Sequence, residues 1–250
     1  MNPVQARRVA TYTYITYMLL MTVGMSLTSL VYHDVYPSLT MVKVLIPFEI
    51  AMTLLCAIVV ARFYQAKVIF GPMHSRALGW MSPLYLTLIV AWGMLVWTIR
   101  SQSIENGQWY GFLLTGLVTL FVGISEELMF RGIILQSLLK TQTTQRAVLI
   151  SALAFSSLHA INIIAHHSWV LLLGQLATTF IFGLFAASVT LRINNLLPMI
   201  IFHWLWDFLS LTHLSLPIHA PVWIAGTIGV ELVLGIILWN GLKHHQPAKE

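Results

Sequence analysis

Charge is what this chain of 250 residues has least of: 8% of its positions are Asp, Glu, Lys or Arg, against roughly a quarter in a soluble domain. With 58% hydrophobic residues and a mean hydropathy of +0.82, the composition excludes a soluble globular domain and leaves an integral membrane protein. Cysteine is almost missing too. The single Cys56 lies inside an apolar run, so there is no disulfide framework and no thiolate metal cluster. Internal repeats, low-complexity tracts and long linkers are absent, which makes residues 1–250 one integral membrane domain. The first apolar run follows Arg7 and Arg8, but it is too long for a signal-peptide core and no small-x-small cleavage site follows it; it reads as a retained span. The net charge of +5 does not point to nucleic acid, because the basic residues are spread among short loops, where membrane lipid headgroups are the partner.

What is present is a series of apolar runs, each able to cross roughly 30 Å of hydrocarbon at 1.5 Å per residue. About eight are predicted, at 12–31, 44–61, 79–99, 109–139, 147–165, 169–190, 196–212 and 221–240, giving an all-α, polytopic membrane protein. The fourth is long for one perpendicular crossing, so it tilts or extends past the membrane at its "QSLLK" end. Cytoplasmic loops carry the excess of Lys and Arg. One set of alternate loops and ends holds Arg7, Arg8, Arg62, Lys67, Arg76, Lys140, Arg146, Arg192, Lys243 and Lys249, ten in all, and the other holds two, Lys43 and Arg100. That places both termini in the cytoplasm of a cell (plasma) membrane protein. Trp80, Trp97, Trp109, Trp169, Trp223 and Trp239 fall near span ends, where they anchor at the interface, and the Gly107 to Gly111 spacing permits close helix contact.

Against this background a few ionisable residues stand well inside spans: Glu126, Glu127 and Arg131 in the fourth, His159 in the fifth, His203 and Asp207 in the seventh, and Glu231 in the eighth. Each costs about 2.5 to 3.5 kcal/mol at a helix centre, so a cluster needs a compensating reason. On an α-helix, at about 100° per residue, Glu127 and Arg131 lie within about 40° of one another and can pair. Glu126 points about 140° away from Arg131, leaving it free for chemistry. Counting from the cytoplasmic ends, Glu126, His159 and His203 lie about 21, 18 and 10 Å deep, so one cavity open to the cytoplasm is expected to receive all three. A carboxylate beside two imidazoles suits hydrolysis, with a base for water and donors for an oxyanion. The same three residues, Glu126, His159 and His203, equally suit a divalent metal such as zinc, and the cofactor stays open. Glu231 is read as a packing residue, Glu49 as a partner of Lys43 near the outer interface, and His166, His167, His244 and His245 as solvated.

In order along the chain, "EELMFR" (Glu126, Glu127, Arg131), "FSSLH" (Phe155, His159) and "HWLWD" (His203, Asp207) resemble the motifs of the CAAX-protease and bacteriocin-processing (CPBP, or Abi) family of intramembrane proteases. The resemblance covers roughly residues 115–210. It implies a four-helix catalytic core, about 109–212, around a cavity facing the cytoplasm. It also implies that Glu126 activates water with His159, that His203 and Asp207 stabilise the oxyanion, and that Glu127 with Arg131 braces the site. The family's last motif often has Asn where this chain has Asp207, and an ionised Asp cannot donate to an oxyanion; Asp207 is then protonated, orients His203, or helps hold a metal. Family members are described both as metalloendopeptidases and as glutamate-dependent enzymes. The implied substrate is a peptide or membrane-anchored protein, in CAAX-type, bacteriocin or signal-peptide processing. The alternative is a non-catalytic bacteriocin-immunity or regulatory membrane protein of the same fold.

Overall fold

The structure, a computed structural model, describes residues 1–101, 103–165, 168–216 and 221–244, with side chains omitted at 221–224, 243 and 244. Eight main helices follow one another: α1 (Pro3–Ser26), α2 (Leu39–Phe63), α3 (Ser82–Ser101), α4 (Asn106–Glu127), α5 (Thr144–Leu158), α6 (Trp169–Ile193), α7 (Leu197–Leu211) and α8 (Pro221–Asn240). They fall where the eight apolar runs predict. Among the described residues, six helical stretches are long and apolar enough to cross a membrane, the fourth running Asn106–Leu138. The last two are shorter: α7 has 15 residues and gains one tight turn, Thr212–Leu214, while the fully described part of α8, Ala225–Asn240, is apolar. Among the described residues there is no strand, only an isolated bridge between Phe70 and Asn195.

Helix starts are set by local chemistry. The side chains of Asn2, Ser38, Thr143 and Ser168 accept the otherwise orphaned first-turn N–H groups of α1, α2, α5 and α6. Glu105 and Gln108 form a reciprocal capping box at the start of α4. Outward faces carry exposed Leu86, Ile89, Val170 and Leu173, as lipid contact requires. Lipid tails are as apolar as leucine, so helices associate here by close packing and by hydrogen bonds rather than by the hydrophobic effect.

Close approach matters most where α4 meets α7. A Cβ on Gly123 would stand 3.0 Å from the Trp204 backbone nitrogen, so only glycine lets the two backbones come this near. The Trp204 indole N–H donates to the Gly116 carbonyl at 2.9 Å, and the contact sets His203 of α7 against the acidic end of α4. Gly183 of α6 is likewise pressed on Ala152 of α5, where an added Cβ would lie 2.9 Å from the Ala152 Cα. Of the glycine pair expected to make a contact, Gly111 packs against Leu39 and Ser215, but nothing lies near Gly107.

The loops gather at two opposite ends of the bundle. At one, the 64–74 segment is tied to the turn after α6: Leu196 N–H donates to Ile69 O, His74 N–H to Ile193 O, and Asn195 Nδ2 to Gly71 O at 2.7 Å. At the other, Tyr36 N–H donates to Ala165 O, and Gln175 Nε2 donates to the Tyr36 hydroxyl at 2.9 Å.

Candidate active site

Helix α4 does not stop at Glu127 but widens into a π-helical segment, Leu128–Ile134, before a last α-turn, Leu135–Leu138. The α-helical angles expected for Arg131 therefore do not hold over this stretch, although the pair they predicted forms: Arg131 Nη1 donates to Glu127 Oε1 at 2.8 Å. π-bulges are rare and recur at functional sites. Here Ser151 of α5 donates to the Phe130 carbonyl at 2.8 Å, holding the widened turn against its neighbour. The guanidinium lies over the rings of Phe155 (4.5 Å) and Phe182 (5.2 Å), so π-faces take up the side of the cation that Glu127 leaves. Both charged side chains are fully buried.

Glu127 has a second duty that helix geometry alone does not reveal. Its Oε1 also stands 2.9 Å from His203 Nδ1, so one carboxylate oxygen ties α4's arginine to α7's histidine. The other imidazole nitrogen, Nε2, faces two more carboxylates, Glu126 Oε2 at 3.6 Å and Asp207 Oδ2 at 3.4 Å. Both nitrogens of a ring so placed are satisfied only as donors. Phe155 and Phe182 pack on the same imidazole, with centroids 5.9 and 4.9 Å away. His159 ends α5, its Nδ1 donating to the Phe155 carbonyl at 3.2 Å; in the neutral ring this leaves Nε2 as the acceptor nitrogen.

Glu126, His159, His203 and Asp207 all line one cavity of about 330 Å³, while Glu127 and Arg131 sit beneath it as support. The cavity extends toward the end of the bundle that holds the 32–38 loop and the start of α6. Its upper wall is made by Tyr36, Met41, Asn162, Gln175 and Leu211, at the end of the bundle away from the N-terminus. The side chains below Glu126, Met129, Phe130 and Ile133, are completely buried and close the other way.

Two residues read as bystanders belong to this wall. Glu49 does not pair with Lys43, whose ammonium instead stands over the Tyr110 ring. It is fully buried, faces the cavity, and lies 3.2 Å from the Ser125 hydroxyl, which in turn meets Tyr17 at 2.8 Å. The second span begins at Leu39 rather than 44, so Glu49 is about 15 Å deep rather than interfacial. Glu231 of α8 also lines the cavity, buried, and its Oε1 finds no hydrogen-bond partner among the described residues. Tyr36, Asn162 and Gln175 were invisible in the sequence, since neutral polar residues near loops carry no signature. They form a chain at the mouth, Asn162 Nδ2 donating to Gln175 Oε1 at 3.0 Å. Burial pushes the Tyr36 hydroxyl up to about 12, so it stays protonated at any physiological pH.

The metal reading of Glu126, His159 and His203 does not fit this arrangement. Among the described residues no three His, Cys, Asp or Glu side chains are set as ligands of one ion, and His203 has one nitrogen engaged by Glu127 and the other turned to two carboxylates. His166, His167 and His245 lie outside the described residues, as do the side chains of His244 and Trp223.

Compared with known proteins, residues 107–209, from α4 through α7, match the family described as type II CAAX prenyl endopeptidase Rce1-like. No curated protein matches the chain.

Proposed function

We propose, from the premise that residues 107–209 form a domain of the Rce1-like type II CAAX prenyl endopeptidase family, that this multi-pass membrane protein is an endopeptidase using water activated by Glu126. The observation that carries the reading is the convergence of Glu126, His159, His203 and Asp207, from three helices, on one cavity inside the bundle. Glu126 takes a proton from a water that the free Nε2 of His159 helps to hold, and the hydroxide adds to the peptide carbonyl. The developing oxyanion is met by N–H of His203 Nε2, kept in place through Nδ1 by Glu127. Collapse breaks the C–N bond as Glu126 returns its proton to the leaving amine, so one water and one peptide bond yield one acid and one amine. Asp207, 3.4 Å from His203 Nε2, orients that donor rather than binding the oxyanion itself. Arg131 neutralises Glu127 and is a positioning residue.

The test is cleavage of a reporter peptide carried on a membrane-anchored protein by purified protein in detergent or vesicles, with Glu126→Gln and His203→Ala variants shown to insert and fold. Glu126→Gln is expected to lower kcat by about 100-fold or more, the range of a lost general base, and cleavage by the wild type is expected to survive chelation. Unchanged processing in both variants would sink the hydrolase reading and leave a non-catalytic binding protein of the same fold.

A further inference from the structure

The cavity is rich in acid and poor in base. Among the described residues four carboxylates line it, Glu49, Glu126, Asp207 and Glu231, and no lysine or arginine does. Glu126 and Asp207 share His203, at 3.6 and 3.4 Å from its Nε2, and Glu49 accepts from the Ser125 hydroxyl at 3.2 Å. Glu231 is different: it is 2% exposed, and its Oε1 has no hydrogen-bond partner among the described residues. A carboxylate oxygen left empty inside a span is costly, and a cation brought in by a ligand removes that cost. Glu231 also stands level with the catalytic residues. α6 and α8 run the same way, since Leu238 O accepts from Arg192 and, nearer their middles, a Cβ on Gly235 would lie 3.4 Å from the Phe185 backbone nitrogen. Going back one turn on each helix brings Glu231 beside Phe182, and Phe182 packs on the His203 imidazole with ring centroids 4.9 Å apart.

We propose that Glu231 is a specificity residue, which receives the ammonium or guanidinium group of a substrate lysine or arginine placed within a few residues of the scissile bond. The assignment rests on the proteolytic reading for the scissile bond, though not for the binding of a basic side chain. The wall around Glu231 suits such a side chain along its length. Leu211 and Ile228 offer apolar surface to the aliphatic stem. Thr178 and Thr179 also line the cavity, and both give their hydroxyl protons to the Gln175 carbonyl, which leaves their oxygens free to accept the N–H groups that Glu231 does not take. A bare metal ion is a poorer occupant, because among the described residues no three His, Cys, Asp or Glu side chains are set to hold one. A neutral side chain of similar length, such as methionine, would bury Glu231 without a partner, so discrimination comes from the cost of the wrong substrate as much as from the attraction of the right one. Glu231 lies outside the segment shared with the protease family, residues 107–209, so this preference belongs to the present chain.

The experiment gives the purified full chain, in vesicles, a set of membrane-anchored reporters that share one apolar stretch and carry Lys, Arg, Met or Glu at one position of it at a time. At one position kcat/KM is expected to be at least about tenfold higher with Lys or Arg than with Met, and lowest with Glu. In Glu231→Gln the ratio of basic to Met substrate should fall to about one, and in Glu231→Lys the order should invert in favour of Glu at that same position, a response that a merely structural role would not give. Cleavage with no basic preference at any position, or a preference that survives in Glu231→Gln, overturns the proposal. Should Glu231→Lys fail to accumulate, the ratio in Glu231→Gln decides alone. If the wild type cuts none of the reporters, the protease reading fails and binding decides the rest: fluorescent Lys and Met versions of the peptide are titrated onto the wild type and onto Glu231→Gln. A Kd at least about tenfold lower for the Lys peptide, lost in the variant, upholds Glu231 as a site for a basic side chain, and equal binding of the two peptides by the wild type overturns it.

Discussion

Glu127 is the residue on which most of the site hangs, because a single oxygen serves both Arg131 and His203. Removing one member of a buried ion pair strands its partner's charge, at a cost of about 3 to 5 kcal/mol. Glu127→Gln is thus expected to lower the unfolding temperature in detergent markedly, and Arg131→Met likewise. The double variant should be less destabilised than the sum of the two, the sign of direct coupling; strict additivity in thermal unfolding would argue against the pair. Asp207 asks a different question. Its contact is with His203 at 3.4 Å and its side chain is 27% exposed, so Asp207→Asn, which keeps shape and polarity, is expected to retain most activity. Asp207→Ala should lower kcat/KM by about tenfold or more, as loss of an orienting contact does. If both behave alike, the side chain does not position His203. The sequence alone identified the Glu127 and Arg131 pair through i and i+4 spacing, but contact between Glu127 and His203 spans 76 residues and follows from no local rule.

At the scale of the helix, the site depends on how close α4 and α7 come. Gly123 is the close point, where an added methyl group would stand 3.0 Å from the Trp204 backbone nitrogen. Gly123→Val must push the backbones apart, and overpacking of this kind costs about 1 to 3 kcal/mol. The variant is expected to lose cleavage more than thermal stability, since a shift of about 1 Å in a catalytic group is enough to cost roughly 100-fold in rate. Parallel measurement of kcat and unfolding temperature would show it, and an unaffected kcat would mean that the helices do not need this spacing. Helix positions themselves were legible from hydropathy. The π segment at Leu128–Ile134 was not, because its widened turn is held by Ser151 from another helix rather than by any residue preference.

At the scale of the molecule, eight helices return the chain to the side where it started, and the loop ends agree with the alternation of basic residues. Reporter fusions truncated after residue 34 and after residue 141 are expected to report opposite faces, the first outside and the second in the cytoplasm. Phosphatase activity in the second fusion and not the first would reverse the orientation. The same scale explains why the resemblance to one protease family covers α4 through α7: these helices hold most of the ionisable residues that lie well inside spans, while α1, α2 and α8 add walls, among them Glu49 and Glu231.

The sequence by itself determined the class, the number and order of the helices, the distribution of basic loops, and which three helices set polar residues at mid-depth. Each of these is local, written in runs of apolar residues and in spacings of one helical turn. Only the tertiary structure decided which part of each helix faces the cavity. It alone decided that Glu127 holds His203, that Glu49 is deep rather than interfacial, and that the metal set does not assemble among the described residues. Those outcomes depend on rotation and approach between helices far apart in the chain, which in a membrane are set by close packing at residues such as Gly123 and by polar contacts across helices, and hydropathy is blind to both.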